Sequence, residues 1–114
     1  MENLKRYCLA LDLVDDPEVF AAYEEHHRHV SPEIQASIRE AGIERMDIFR
    51  AGNRLFMIMD VDSSFSFERK EAMDAANSRV QVWEALMWKY QQRLPFAAPG
   101  EKWVVMKQIF ELST

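Results

Sequence analysis

The histidines of this chain lie close together. His26, His27 and His29 all fall within residues 23–29, and the 114-residue chain contains no other histidine. Imidazole is the one side chain whose ordinary pKa lets it accept and release protons near neutral pH. Any acid–base chemistry that depends on imidazole must therefore take place in this segment.

Tyr23 and His27 are four positions apart, which places both on one face of a helix. A phenol beside an imidazole can hold a small hydroxyl compound and move its protons. His26 and His29 are more simply interpreted as surface residues near a helix end, where a cation suits the helix dipole. His27 is therefore our candidate acid–base residue, and Tyr23 is the candidate to orient the substrate.

Other side chains have the chemistry that a small polyol requires. Hydrogen bonds hold the hydroxyl groups of a sugar, while the apolar side of its ring packs on aromatic groups. Trp83 follows the helical spacing of a buried stripe and is expected in the core, whereas Trp88 lies off this stripe and is expected to line an opening. The further phenol and carboxylates available for such a site are Tyr90, Asp47, Asp60 and Glu33.

Metal and nucleotide chemistry are poorly supported by the sequence. His26 and His29 have a spacing that permits a shared metal ion, with Glu25 as a third ligand, but no distant cysteine or histidine completes such a site. The three glycines do not form a phosphate-binding loop. Cys8 is the only cysteine and is expected to be a small buried apolar residue. We expect neither a metal nor an organic cofactor.

Composition narrows the class of protein further. The net charge of −5 comes from interspersed acids and bases, which argues against a nucleic-acid partner. No apolar run reaches the roughly 18 residues of a membrane span, so we expect no membrane partner. The segment Met1-Glu2-Asn3-Leu4-Lys5-Arg6 is not typical of a signal peptide, and we expect a cytoplasmic protein. Residues 1–114 are expected to form one domain.

The first part of the chain predicts one strand and two helices. Residues 5–14 alternate between apolar and other side chains, which indicates a strand. Asp16 followed by Pro17 is typical of a helix start, with the aspartate as cap and proline in the first helical position. Ser31 followed by Pro32 predicts a second start, so that the two helices form one bent unit.

The rest of the chain predicts a hairpin, two helices and a last strand. Two strands over residues 44–50 and 54–61 are joined by a short turn. Helices are predicted over residues 65–76 and from residue 77 or 78 to about residue 93. Residues 103–112 are then apolar on both faces and predict a strand.

This order of elements, βαββαβ, predicts a ferredoxin-like α+β fold with an antiparallel sheet. Helices cover one face of such a sheet. The other face is too apolar for contact with water, so we expect a homodimer in which two sheets pack face to face, an assembly of the dimeric α/β-barrel type. The residues assigned to this face are Phe56, Ile58, Val104, Met106 and Phe110.

A series of short motifs runs along nearly the whole chain. They are Tyr23-x-x-x-His27, Pro32-Glu33-Ile34, Gly42, Asn53-x-Leu55-Phe56, Trp88-Lys89-Tyr90 before Leu94-Pro95, and the closing Gln108-Ile109-Phe110-Glu111-Leu112. Each motif alone is weak, but their order and spacing together are fairly specific. In this respect the chain resembles the L-rhamnose mutarotase family.

The resemblance implies a function and a set of site residues. Members of the family are dimeric ferredoxin-like proteins that interconvert the α and β anomers of 6-deoxy-L-sugars without metal or nucleotide. By position, His27 matches the proton-transferring histidine of the family, and Tyr23 matches its sugar-binding tyrosine. Trp88 matches the second residue of a tandem tryptophan that lines the sugar site.

Three positions differ from the family pattern in the implied sugar pocket. Met87 stands where the first tandem tryptophan is found, Met46 replaces a sugar-contacting tyrosine, and Ser31 replaces a tryptophan. Residues 83–92 are similar to an L-fucose mutarotase branch. L-fucose therefore stands beside L-rhamnose as the expected substrate.

Two other functions are compatible with the same fold. Dimeric ferredoxin-like domains include cofactor-free monooxygenases, which would consume oxygen with an aromatic substrate. A small-ligand (sugar) binding module would bind a sugar saturably without accelerating anomer exchange. Fold alone does not choose among these functions; the resemblance favours the mutarotase, an isomerase.

Overall fold

The computed structural model describes residues 3–112. Met1 and Glu2, and likewise Ser113 and Thr114, the two ends of the predicted domain, lie outside the described residues. The elements in chain order are β1 (Lys5–Leu13), α1 (Pro17–Arg28), α2 (Pro32–Glu40), β2 (Ile43–Ala51), β3 (Arg54–Val61), α3 (Phe67–Ala75), α4 (Ser78–Trp88), β4 (Gln91–Gln92) and β5 (Val104–Val105).

The predicted helix starts are confirmed by their caps. The Asp16 carboxylate accepts a hydrogen bond from the backbone N–H of Glu18 at 2.9 Å, and Pro17 takes the first helical position of α1. The Ser31 hydroxyl likewise accepts from the backbone N–H of Ile34. These side chains satisfy N–H groups that the first turn of a helix leaves without partners.

The strands form an antiparallel sheet in which β1 lies between β3 and the two short strands β4 and β5, while β2 pairs on the outer side of β3. β4 and β5 pair with different parts of the same edge of β1. The helices pack on one face of this sheet. The predicted ferredoxin-like α+β fold is confirmed.

The core between helices and sheet consists of two clusters. One contains Leu9 and Met57 from the sheet, against which Ile38 of α2 packs. The other contains Leu13, Tyr23, Leu55 and Met87. The second cluster anchors α1 and α4 at one end of the sheet, and this anchoring fixes the position of the Tyr23 ring.

The prediction of a long last strand was wrong. Only Val104–Val105 pairs with β1, after which the Met106 N–H donates to the Cys8 carbonyl at 2.7 Å. Residues 107–112 then leave the sheet and form no regular element. Alternation in sequence indicates that a segment suits a sheet, but it does not ensure pairing: β1 continues to Lys5, yet residues 107–112 form no ladder with it.

The predicted end of the last helix was also wrong. α4 ends at Trp88 instead of near Arg93. The chain then turns into the sheet: the Tyr90 carbonyl accepts a hydrogen bond from the Val14 N–H at 2.9 Å, and Gln91 pairs with Leu13. Tertiary pairing therefore competes successfully with helical propensity over these residues.

The face of the sheet opposite the helices is apolar only in part: an apolar row crosses it, and ion pairs such as Arg6–Asp60 and Arg54–Asp12 lie on either side of this row. Phe110, which the sequence assigned to this face, lies in the segment that leaves the sheet. One row of side chains crosses four strands in register: Phe49, Phe56, Ala10 and Val104. Phe49 is 56 % exposed at the outer end of this row. We call this surface the open face.

None of the helices formed by residues 3–112 is both long and apolar enough to cross a bilayer.

Candidate active site

Helix α1 brings Tyr23 and His27 together. Their ring centroids are 4.4 Å apart, with the planes tilted by 36°. Tyr23 is only 3 % exposed, because its ring belongs to the second core cluster, whereas His27 is half-buried. The spacing of four residues therefore produces the shared face that the sequence predicted.

The hydrogen bond of His27 fixes which ring nitrogen carries the proton. Nδ1 lies 2.8 Å from the backbone carbonyl oxygen of Tyr23. A carbonyl only accepts, so Nδ1–H donates and the lone pair of the neutral ring is on Nε2. Burial lowers the pKa of His27, the hydrogen bond to Tyr23 opposes this change, and the nearby His26 lowers the pKa further. At neutral pH the ring is thus an uncharged base at Nε2.

The phenol of Tyr23 is held by a second element. Its oxygen accepts a hydrogen bond from Gln91 Nε2 at 3.1 Å, and Gln91 belongs to β4. Burial raises the pKa of Tyr23, although the Gln91 hydrogen bond opposes this. The hydroxyl therefore stays protonated, and since its oxygen accepts from Gln91, its proton is free to be donated to another group.

A cavity of about 350 Å³ opens beside these two residues. This volume lies within the usual range of small-molecule sites. The lining combines the two aromatic rings with apolar groups from the sheet and with one acid and one base. The lining residues are Tyr23, Glu24, His27, Ile48, Phe49, Arg50 and Leu55.

The acid and base of the lining form an ion pair. Arg50 Nε donates to Glu24 Oε2 at 2.8 Å, and Arg50 Nη1 donates to the carbonyl of Gly52 at 2.8 Å. The guanidinium also lies over the Phe20 ring, 4.7 Å from its centroid. These contacts fix a charged donor and a charged acceptor side by side at the cavity.

Tyr90 and Met87, two of the predicted substrate-binding residues, lie behind Tyr23 and are not part of the cavity lining. The Tyr90 ring meets the Tyr23 ring edge-on at 6.4 Å, and its hydroxyl lies 3.2 Å from His26 Nε2. Met87 is buried in the same core cluster as Tyr23. Both residues therefore support the Tyr23 ring from the core side. His26 is half-buried and bonded to Tyr90, not simply exposed as the sequence suggested.

Met46 and Trp88, the other predicted substrate-binding residues, do not line the cavity either. Met46 packs against the first core cluster from β2. Trp88 is 39 % exposed, and Lys102 Nζ lies 4.8 Å from its ring. The tryptophan that contacts the histidine is Trp83, whose ring meets that of His27 edge-on at 5.4 Å. The sequence assigned Trp83 to the core and Trp88 to an opening; Trp83 does pack against the second core cluster, and neither tryptophan lines the cavity.

The carboxylates suggested by the sequence are not at the cavity. Asp60 pairs with Arg6 at 2.8 Å and Asp47 pairs with Arg45 at 3.0 Å, both on strands of the sheet. Glu33 is exposed in the first turn of α2. The carboxylate at the cavity is Glu24, which the sequence analysis did not select. Its spacing of three from His27 was the signal available, since residues i and i+3 share a helix face.

Within residues 3–112, no three histidine, cysteine, aspartate or glutamate side chains converge in a way that would hold a metal ion. His29 instead contacts Glu25 at 3.2 Å on the exposed side of α1.

Comparison with known proteins gives consistent results. A family model described as L-rhamnose mutarotase matches residues 6–112. An L-fucose mutarotase from Xanthomonas campestris is 48 % identical over 113 residues, which is 97 % of this chain and 90 % of that protein. A UPF0734 protein from Dictyostelium discoideum is 34 % identical over 117 residues, covering 96 % of this chain and 91 % of its own.

Solved structures show the same fold at lower identity. An L-rhamnose mutarotase from Formosa agariphila has a TM-score of 0.70 at 20 % identity, over 96 % of this chain and 99 % of that chain. Tetracenomycin F2 cyclase from Streptomyces glaucescens has a TM-score of 0.60 at 17 % identity, over 96 % and 98 % of the two chains. Since the family model matches nearly end to end and a relative shares almost half of the residues, the chain belongs to the L-rhamnose mutarotase family of isomerases.

Proposed function

We propose that this protein interconverts the α and β anomers of a 6-deoxy-L-hexose, with L-fucose preferred over L-rhamnose and His27 as the acid–base residue. The observation that carries the proposal is the position of His27, which lines a cavity of suitable size and whose Nδ1 is hydrogen-bonded to the Tyr23 carbonyl, leaving Nε2 for a ligand. The preference for L-fucose rests on the 48 % identical relative that carries the name L-fucose mutarotase.

The reaction requires two proton movements. A base removes the proton of the anomeric hydroxyl while an acid protonates the ring oxygen, and the bond from C1 to the ring oxygen breaks. The open-chain aldehyde rotates about its C1–C2 bond. The reverse proton movements then close the ring on the other face of C1, so no atom is gained or lost.

The cavity divides these tasks among its residues. His27 Nε2 takes the proton of the anomeric hydroxyl and passes it as the imidazolium proton to the ring oxygen, and the reverse transfers accompany ring closure. The Tyr23 hydroxyl, oriented by Gln91, donates a hydrogen bond to a sugar oxygen. Ile48 and Leu55 supply the apolar side of the cavity, which suits the C6 methyl group of a 6-deoxy sugar.

The remaining predicted residues have lesser roles in this proposal. Met87 and Tyr90 act as positioning residues, since both pack against Tyr23. Met46 and Trp88 stay predictions from the family pattern, and they have the weakest geometric support because neither lines the cavity.

Saturation-transfer NMR of the anomeric protons tests the activity directly. Saturating one anomeric resonance of L-fucose or L-rhamnose should reduce the other at catalytic enzyme concentration. His27→Gln should lower the exchange rate by about 10²–10⁴-fold, the usual contribution of one general acid–base group. His29→Gln is the matched control, because His29 is exposed and contacts Glu25 away from the cavity.

Two results would contradict the proposal. Full exchange in the His27→Gln variant would remove the assigned base. Saturable sugar binding by the natural protein without any acceleration of exchange would indicate a binding module.

We also propose that the protein acts as a homodimer in the cytoplasm. The apolar row of the open face, with Phe49 more than half exposed, supports a partner of matching surface, which a second copy provides. A single cysteine, Cys8, excludes an internal disulfide and fits a reducing compartment.

A further inference from the structure

We propose that the Glu24–Arg50 ion pair is a subsite that binds two adjacent hydroxyl groups of the sugar. This contact would determine the preference of the enzyme for L-fucose over L-rhamnose. The inference rests on the proposed mutarotase function. It concerns residues that neither the sequence pattern nor the acid–base chemistry of His27 uses.

The Arg50 side chain of this pair makes more contacts than a single surface ion pair provides. The Arg50 guanidinium is fixed by the Glu24 carboxylate, by the Gly52 carbonyl and by the ring of Phe20. A long side chain held on three sides loses little further freedom when a ligand binds, so its hydrogen bonds to a ligand are not offset by ordering.

The pair also keeps hydrogen-bonding capacity. Arg50 uses Nε and one N–H of Nη1 in the contacts above, and among residues 3–112 its Nη2 donates to no acceptor. Glu24 uses Oε2, and its Oε1 accepts from no described donor. A free donor and a free acceptor thus stand next to each other, both charged, on two residues that line the cavity.

Two neighbouring hydroxyl groups of a sugar match this arrangement. One hydroxyl donates to Glu24 Oε1 while its neighbour accepts from Arg50 Nη2, and hydrogen bonds with an ionised partner are the stronger kind. Binding is best when the two hydroxyl groups are cis, because both then point toward the same edge of the ring.

The position of the pair relative to His27 identifies the hydroxyl groups. Glu24 precedes His27 by three residues on the same helix face, and Cβ atoms at this spacing are about 5–6 Å apart. A sugar whose C1 lies at His27 therefore reaches the pair with the far side of its ring. In L-fucose the cis pair is O3 and O4, at the far side of the ring from C1. In L-rhamnose the cis pair is O2 and O3, next to C1. The geometry therefore favours L-fucose.

Steady-state exchange rates for both sugars test the inference. Glu24→Ala should raise the KM for L-fucose about tenfold or more, as expected for the loss of one charge-assisted hydrogen bond, with a smaller change in kcat. The change in KM for L-rhamnose should be smaller, so the ratio of kcat/KM for the two sugars should fall. Arg50→Gln should act in the same direction.

Glu25→Ala is the matched control. Glu25 is the next residue on the same helix and pairs with Arg28 and His29 on its exposed side, outside the cavity lining. It should leave both KM values and their ratio unchanged. A general loss of structure would reduce kcat for both sugars and lower the melting temperature, without selectively affecting L-fucose.

An unchanged ratio of kcat/KM in Glu24→Ala would overturn the subsite while leaving the mutarotase assignment intact. If Arg50→Gln does not fold, the Glu24→Ala result decides alone. Absence of exchange for any sugar in the natural protein would instead overturn the proposed function, so the two failures are distinguishable.

Discussion

The pKa of His27 determines the pH range in which its base form is available. Burial and the nearby His26 lower this pKa below the ordinary value of 6.5, despite the opposing hydrogen bond to Tyr23. The uncharged ring therefore persists to more acidic pH than in a free histidine. We expect the acidic limb of the kcat/KM profile for anomer exchange to fall below pH 6.5, as measured by NMR exchange between pH 5 and pH 8.

Direct titration provides the control for this profile. The His27 Hε1 resonance should titrate below pH 6.5, the ordinary value of a histidine. An acidic limb at or above 6.5 that follows the titration of another histidine would contradict the role of His27.

The same shift affects stability. A histidine whose pKa is lower in the folded state binds fewer protons there than in the unfolded state, so stability falls as pH drops below 6.5 and the loss ends below the folded-state pKa. His27→Gln should flatten this decrease between about pH 5 and pH 7, as measured by urea unfolding. The carboxylates with lowered pKa values, such as Asp60 and Glu25, contribute to pH dependence only at more acidic pH.

The sequence predicted the site residues that lie on one helix, but not the contact between residues that are distant in the chain. Tyr23 and His27 share one helix, so their contact follows from spacing alone. Arg50 reaches Glu24 from a strand across a separation of 26 positions, and no periodicity predicts such a pairing. Trp83 was assigned to the core because it follows a buried stripe, and it does pack against the second core cluster, where its ring meets that of His27.

At the scale of elements, Gly42 joins α2 to β2 in a conformation that other residues rarely adopt. Its φ is +97°, and an added Cβ would lie 2.6 Å from both Asp62 Oδ1 and Ser64 Oγ. These two groups are hydrogen-bonded to each other, so they do not move aside freely. Gly42→Ala should therefore lower the free energy of unfolding by about 2 kcal/mol or more, measured by urea titration.

Gly52 offers the comparison for this substitution. It also has positive φ, +59°, but an added Cβ there meets nothing within 4 Å. Gly52→Ala should cost only the backbone strain, about 1 kcal/mol. An equal decrease in the free energy of unfolding of the two variants would contradict this prediction. It would show that Asp62 and Ser64 move away from the added Cβ without loss of stability.

Element starts were predictable and some element ends were not, for one physical reason. A helix start is marked by a cap within the segment itself, as at Asp16 and Ser31. The end of α4 depends on backbone pairing with β1, which brings Tyr90 and Gln91 into the sheet. Information about that pairing lies elsewhere in the chain, so the local pattern overextended the helix.

At the scale of the whole molecule, the segment 107–112 and strand β2 both have groups that could be paired or buried by a second copy of the chain. Ile109 and Phe110 are 90 % and 76 % exposed, and the segment has no strand partner among residues 3–112. Strand β2 pairs only with β3 among those residues, so its outer edge is free. A free strand edge and exposed apolar side chains are both stabilised when a second copy supplies the missing partner. We therefore expect segment 107–112 of one protomer to contact its partner in the proposed homodimer.

Sedimentation equilibrium over a range of concentrations tests this assembly. The natural protein should have about twice its chain mass of 13.4 kDa, and the double variant Ile109→Ser, Phe110→Ser should shift toward the monomer, because it removes two large apolar side chains from the contact. Val82→Ser is the matched control, since Val82 is an exposed apolar residue on α4, away from the open face. A natural protein that stays monomeric at high micromolar concentration would contradict the dimer. A double variant that dimerises as well as Val82→Ser would show that the two sheets associate through the open face without help from segment 107–112.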